Sequence, residues 1–327
     1  MDENENKRVV KAYRYVFGPV PSRRLGRSLG VDLTPGKICT LNCRYCQLNE
    51  TLEKTVTRKN LCNHREVAAE IFANIEEINP SPDWITFSGS GEPTLNKDIG
   101  KIINSIKVVS EIPVCVITNG TLLSFSDVRN DLMLADRVLP TISSLDEKIF
   151  DFIHRPSSEL RLKEILEGLR AFSQQYKGFL EIEVFVISGI NDDIENAVKI
   201  GNFIKTLKKV DAVYLNTAVR PASSSDIKPV SAEGLSEFRR AMGLDIKIST
   251  AYEFSAVLGK SETKINRSDL YERIPALLFR HPCTTDQLAA TFGVSASMLN
   301  EVVRELSDKR RVVLNSDGTW STIPSSA

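Results

Sequence analysis

Three cysteines fall close together in the segment Cys39-Thr40-Leu41-Asn42-Cys43-Arg44-Tyr45-Cys46. The spacing C-x3-C-x2-C puts three thiolates on one tight loop, enough to hold an iron–sulfur cluster by three of its corners. A fourth protein ligand would close such a cluster for electron transfer. An open iron leaves a position for chemistry, by the logic that separates open catalytic zinc sites from closed structural ones. The spacing therefore argues for a catalytic cluster. Zinc would need a further donor at short spacing, and the nearest, Cys62 and His64, lie in another segment. A disulfide framework is unnecessary in a chain of 327 residues with six cysteines, which is long enough to build an ordinary core. A redox pair of Cys43 and Cys46 would leave Cys39 without a part.

A second run, Ser88-Gly89-Ser90-Gly91-Glu92-Pro93-Thr94, carries glycines that let backbone approach a ligand closely and a glutamate that can accept from a cationic group. By itself such a run is an ordinary turn. Its value comes from position, one strand after the cysteine loop.

The elements that must hold these loops follow from hydrophobic periodicity. Short β-branched runs predict strands over Ser28–Leu33, Trp84–Phe87, Val114–Thr118, Val138–Ile142, Glu181–Ile187 and Val213–Asn216, with a further strand over Ile246–Ser249. Apolar residues at helical spacing predict helices over Arg65–Ile78, Asp98–Val109, Leu160–Tyr176, Ile194–Leu207 and Ser231–Met242. Strands alternating with helices indicate β-α-β units and a parallel sheet. The expected fold class is α/β, a partial (β/α)6 TIM-like barrel over residues 1–255. In such folds chemistry sits on loops leaving the C-terminal strand ends, and both motifs fall there.

A linker is expected over 256–270, around Gly259–Lys264, and a small C-terminal domain over 271–327. There Tyr271–Arg280, Thr285–Phe292 and Ala296–Arg310 read as helices. Val312–Leu314, the turn Asn315–Gly318 and Thr319–Ile323 read as a β-hairpin. Three helices and a hairpin make a winged helix-turn-helix.

Composition bounds the function. At 36.4 kDa, 42% hydrophobic and 26% charged, the chain reads as a soluble globular protein. It has no apolar run of membrane-span length, so no membrane partner is expected. Its first residues are too hydrophilic for a signal peptide. The expected location is a reducing cytoplasm. Formal net charge is zero, but Lys7, Arg8, Lys11, Arg14, Arg23, Arg24 and Arg27 precede the first following acid, Asp32, with Tyr13, Tyr15 and Phe17 interleaved. That stretch is either a phosphate-tracking arm or a solvated face.

Together these residues carry a resemblance. From about Val16 to Ala218 the chain resembles radical S-adenosylmethionine (SAM) enzymes. The resemblance implies that Cys39, Cys43 and Cys46 hold a [4Fe–4S] cluster whose open iron binds the amino and carboxylate groups of SAM. It further implies that Tyr45 lies against the adenine, and that Ser90, Gly91 and Glu92 receive the SAM amino group. Asn119-Gly120, Ser144 and Asp146 resemble ribose and carboxylate contacts, and Ile187-Ser188-Gly189 an adenine-binding segment. The implied activity is reductive cleavage of SAM to a 5′-deoxyadenosyl radical, fed by a flavodoxin or ferredoxin-like electron donor. That radical abstracts hydrogen from carbon inside a closed cavity.

Within the superfamily, Phe17-Gly18-Pro19-Val20-Pro21-Ser22-Arg23-Arg24-Leu25-Gly26-Arg27-Ser28-Leu29-Gly30 and Leu215-Asn216-Thr217-Ala218-Val219-Arg220-Pro221 are similar to a group related to wyosine-type tRNA-modifying synthases. Those synthases carry a second cluster on upstream cysteines. This chain has no cysteine before Cys39, and Cys62, Cys115 and Cys283 do not replace them, so pyruvate condensation is not expected. Arg23, Arg24, Arg155 and Arg220 are candidates to meet a phosphate or carboxylate, with Arg155 alternatively at SAM. In the C-terminal domain six basic residues (Arg273, Arg280, Arg304, Lys309, Arg310, Arg311) stand against six acidic ones (Glu272, Asp286, Glu301, Glu305, Asp308, Asp317). A nucleic-acid binder usually shows a basic surface, so protein docking competes with RNA or DNA binding. The substrate expectation is a macromolecule, tRNA or protein. A glycyl-radical-activating or small-molecule enzyme and a cluster-based DNA-binding redox sensor are the alternatives; a sensor would not need the Ser90-Gly91-Glu92 region.

Overall fold

The computed structural model describes residues 13–22, 24–48, 50–78, 81–219, 222, 224, 226–251, 253, 267–316 and 318–323. The expected linker around Gly259–Lys264 lies outside them, as do Lys7, Arg8, Lys11, Arg23 and Arg220.

In chain order the elements are β1 (Val16–Ser22), β2 (Gly26–Val31), the short β3 (Ile38–Cys39) and β4 (Glu53–Lys54), α1 (His64–Glu77), β5 (Trp84–Phe87), α2 (Ile99–Val109), β6 (Val114–Thr118), α3 (Ser126–Asp131), β7 (Arg137–Ile142), α4 (Glu147–His154), α5 (Leu162–Gln175), β8 (Phe179–Val186), α6 (Ile194–Lys205), β9 (Ala212–Thr217), α7 (Ala232–Met242) and β10 (Lys247–Thr250). Eight of these strands form one sheet in the order β1-β2-β5-β6-β7-β8-β9-β10. All neighbours from β2 to β10 run parallel, and β1 pairs antiparallel with β2. The order is open, with β1 and β10 at its two edges, consistent with a partial TIM barrel.

Side chains alternate along each strand. Leu29, Val31, Ile85, Phe87, Val114, Val116, Leu180, Ile182, Val213 and Leu215 point to the helices and join one continuous core. The other face turns inward. Its floor is apolar, with Leu25, Cys115 and Leu139 buried together. Above the floor it is polar. Ser28 and Thr86 share a hydrogen bond of 2.6 Å, Arg24 pairs with Glu183 at 2.9 Å, and Arg137 pairs with Glu181 at 2.6 Å. A cavity of about 330 Å³ opens on this face, lined by Arg24, Ser28, Thr86, Glu183, Tyr214 and Asn216 among others.

Local chemistry sets the helix ends. Asp193 caps α6 by accepting from the Asn196 amide, and Ser231 caps α7 from Gly234. Each satisfies an amide that the first helical turn leaves open. No helix among the described residues is long and apolar enough to cross a membrane.

The C-terminal segment holds α8 (Arg267–Arg280), β11 (Cys283–Thr284), α9 (Thr285–Phe292), α10 (Ala296–Asp308), β12 (Val312–Leu314) and β13 (Thr319–Thr322). The three strands form an antiparallel sheet in the order β11-β13-β12. Helix α8 starts four residues before the expected Tyr271. Its core is shared with the barrel: Phe17 and Val20 of β1 lie in one cluster with Leu277, Phe292 and Val302.

Candidate functional site

The cysteine loop leaves β2 and crosses the C-terminal ends of the parallel strands. Its backbone is fixed on two sides. On one side the amides of Asn42 and Arg44 donate to His154 O and Ile153 O, both at 2.9 Å, and Ser157 N donates to Thr40 O at 2.9 Å. The loop thus uses carbonyls at the end of α4 that the helix itself cannot satisfy. On the other side Glu92 N donates to Ile38 O at 3.0 Å. Gly91 lies so close that a Cβ there would stand 1.9 Å from the Ile38 carbonyl oxygen. The glycine run therefore sits directly against the strand that delivers Cys39.

Beneath the loop is an apolar bed of Leu41, Phe150, Leu162 and Ile165, against which Cys39 and Cys43 pack. Burial pushes the Cys39 thiol up to about 12, helped by the Glu92 charge, and pushes Cys43 well above the ordinary thiol range. Cys43 Sγ lies 3.2 Å from His154 Nδ1, and His154 Nε2 lies 3.0 Å from Ser143 Oγ. Burial drives this histidine down to about 3, so it is neutral. Asn119 Nδ2 lies 3.6 Å from Cys39 Sγ and donates to Thr40 Oγ1 at 2.8 Å.

The donor set fits an iron–sulfur cube. Three thiols share one loop, and an apolar surround of this kind limits solvent access to a metal centre. Cys39 and Cys43, half-buried and held in protonated form by desolvation, are thiols that a cationic metal would deprotonate. Among the described residues no three His, Cys, Asp or Glu side chains converge to hold a single ion. A cube does not need that convergence, because each thiolate takes its own iron.

The other expected residues are placed as follows. Glu92 is buried. Its Oε1 accepts from Thr94 N (3.1 Å), Thr94 Oγ1 (2.6 Å) and Thr118 Oγ1 (2.6 Å), and its Oε2 from Asn119 N (2.8 Å). Burial raises its pKa and the four hydrogen bonds pull it back. The carboxylate thus joins the exits of β5 and β6. Ser90 donates to Asp32 Oδ2 from both its amide (3.1 Å) and its hydroxyl (2.7 Å). The Tyr45 ring stacks on Phe185, with centroids 3.8 Å apart and planes at 13°. Ser144 is buried and donates to Asn196 Oδ1 at 3.0 Å. Asp146 is an exposed cap of α4. Ser188 is exposed, its amide donating to Lys228 O.

Cys39, Tyr45, Ser90, Glu92, Asn119 and Ser144 thus share the C-terminal strand ends, whereas Asp146 and Ser188 face outward. Arg24 points inward to Glu183, with its guanidinium 4.3 Å from the Tyr214 ring centroid. Arg155 is exposed. Sequence reasoning missed His154, Asp32, Thr118 and Phe185. The available signal was Ile149, Phe150, Ile153 and His154, which repeat at helical spacing and mark a buried face.

An open parallel α/β sheet with a thiol-bearing loop and a glycine-rich turn at its C-terminal strand ends defines a fold shared with solved enzymes. A radical SAM methyltransferase from Sphaerobacter thermophilus superposes with a TM-score of 0.56 at 15% identity, over 72% of this chain and 70% of that one. The pattern described as the radical SAM superfamily matches residues 33–200, and this chain belongs to that superfamily. A UPF0026 protein of Methanocaldococcus jannaschii is 33% identical over 303 residues, covering 88% of this chain and 90% of the relative. A protein of Brachyspira hyodysenteriae named GTPase Obg is 35% identical over 318 residues. That match covers 95% of this chain, which spans only 45% of the relative's length.

Proposed function

We propose that this protein is a radical SAM enzyme in which Cys39, Cys43 and Cys46 hold a [4Fe–4S] cluster and the 330 Å³ cavity receives the group to be modified. When bound and reduced, the cluster supplies the electron that cleaves SAM to methionine and a 5′-deoxyadenosyl radical. The chain's own residues do the rest. Ser90, Gly91 and Glu92 offer a fixed turn to the SAM amino group, with Glu92 tying that turn to Asn119. Tyr45 and Phe185 form an aromatic shelf for the adenine, while Ser144 and Asn119 offer polar atoms at the strand ends. The inward polar face, with Arg24, Glu183 and Tyr214, contacts the substrate. The observation that supports this reading is the approach of Gly91 to the Ile38 carbonyl, next in sequence to Cys39, so that the Ser90–Glu92 turn and the cysteine loop lie side by side.

The substrate reading is a macromolecule, with the C-terminal segment serving as a winged-helix domain. Likeness to wyosine-type synthases in Phe17–Gly30 favours tRNA. The charges of the C-terminal segment favour protein: Arg267 pairs with Glu301 and Glu305, Arg273 with Glu77, Arg280 with Asp32, and Arg311 with Glu272. A reducing cytoplasm and a flavodoxin or ferredoxin-like donor complete the reading.

The test is anaerobic reconstitution, reduction, addition of SAM and measurement of 5′-deoxyadenosine. Wild type yields it, and Cys43→Ala loses both the cluster absorbance and the product. Turnover retained in C43A refutes the ligand assignment. A change in tRNA nucleosides on deleting the gene selects tRNA; an unchanged set moves the substrate to protein.

A further inference from the structure

We propose that Arg280 is a positioning residue for the Ser90–Glu92 turn, through which the C-terminal segment fixes the cofactor-facing side of the site and walls its cavity. The proposal rests on the reading that this turn receives SAM.

Asp32 is the hub. It follows β2 at the start of the cysteine loop and its side chain is 3% exposed, so its charge needs partners. Oδ1 accepts from Thr34 N at 3.1 Å and Thr34 Oγ1 at 2.9 Å. Oδ2 accepts from Ser90 N, Ser90 Oγ and, at 3.0 Å, Arg280 Nε. Arg280 brings the only formal charge among these donors. Its remaining nitrogens are committed: Nη1 donates to Ala276 O at 3.0 Å within α8, and Nη2 to Arg14 O at 2.6 Å on the barrel side. A planar guanidinium held at all three nitrogens is a rigid strut, which a flexible ammonium would not match.

The consequence runs to Ser90. Its single hydroxyl hydrogen has four acceptors in reach: Asp32 Oδ2 at 2.7 Å, Gly36 O at 2.8 Å, Thr34 O at 2.9 Å and Thr34 Oγ1 at 3.3 Å. Asp32 Oδ2 is the nearest of these, and it is the same oxygen that Arg280 Nε holds. Without the arginine, Asp32 loses the partner that fixes Oδ2 from the α8 side, and with it the aim of that oxygen at both the amide and the hydroxyl of Ser90. The same helix end reaches the cavity, because Arg280 and His281 share its lining with Ser88, Gly89 and Gln47. One residue thus connects the C-terminal segment, the SAM turn and the cavity wall.

The test compares wild type, Arg280→Met and Arg280→Lys. With reconstituted cluster, R280M should bind SAM at least tenfold more weakly at equal iron content and weaken the SAM-induced change in the electron paramagnetic resonance of the reduced cluster. R280K should recover part of the affinity. A residue that only stabilised the fold would lower the melting temperature and leave SAM affinity unchanged below it. In the metal-free protein, hydrogen exchange of the amides of Asp32, Leu33, Thr34 and Gly36 and of residues 88–92 should quicken at least tenfold in R280M, while β6 to β8 keep their protection. Unchanged exchange there overturns the link, as does wild-type SAM affinity in R280M. If wild type itself binds no SAM, the enzyme reading fails, and the exchange measurement still decides the link.

Discussion

Gly91 is where a single atom decides whether the site assembles. A methyl group there would meet the Ile38 carbonyl oxygen at 1.9 Å, and the obstacle is backbone that cannot rotate away. The loop carrying Cys39 or the turn carrying Glu92 must then move. Overpacking of this kind costs about 1–3 kcal/mol, and here it also breaks the 3.0 Å bond from Glu92 N to Ile38 O. Gly91→Ala should therefore lower the urea midpoint of the metal-free protein by about 2–3 kcal/mol of stability and lower the iron retained after reconstitution. A G91A protein with wild-type midpoint and full iron would show that the two segments do not touch. Residue types at this site were legible, because three cysteines and a glycine–glutamate run announce themselves by spacing. Partners were not. Glu92 reads from the sequence as an acceptor for a cationic group, and among the described residues it also accepts four internal hydrogen bonds. Only the register between β5 and β6 brings Thr118 and Asn119 to it.

At the scale of elements, the parallel strands were legible to within two residues because most are buried apolar runs with a helix after them. Strand β1 was not. Gly18, Pro19 and Pro21 interrupt its apolar run, yet among the described residues β1 pairs with β2 alone and lies at the sheet edge, where proline is tolerated. Helices α3 and α4 escaped because six and eight residues give too few turns for a periodic signal. Helix α4 matters most, since its last turn fixes the cysteine loop. It ends on Arg155 in the left-handed region, at φ 43° and ψ 60°. That conformation costs a side-chain-bearing residue about 1–2 kcal/mol, while glycine there would lose about 0.4–1 kcal/mol through a freer unfolded chain. Strain wins, so Arg155→Gly should raise stability by about 0.5–1 kcal/mol, read as a higher urea midpoint. A lower midpoint would mean that the exposed guanidinium makes contacts worth more than the strain.

Across the whole molecule, the sequence suggested a separate C-terminal domain with balanced charges, a reading that treated those charges as solvent-facing. Two of them instead cross to the barrel: Arg273 reaches Glu77 at 3.5 Å, and Arg280 reaches Asp32. Nothing in a one-dimensional count pairs residues 248 positions apart. The apolar part of the seam is Phe17 with Val20, and Phe17 is the larger. Its ring fills the space over Gly30, where a Cβ would stand 2.2 Å from the ring, and it clusters with Leu277 and Phe292 of the C-terminal helices. Truncating a buried phenylalanine costs about 3–5 kcal/mol, and at this position the loss falls on the contact between the two parts. A shared core makes the parts unfold together, so wild type should show one calorimetric transition. Phe17→Ala should split it, with the C-terminal helices melting first. A single transition in F17A, merely shifted downward, would mean that the ion pairs alone keep the two parts cooperative. Two transitions in wild type would mean that the seam couples them too weakly for Arg280 to hold the Ser90 turn.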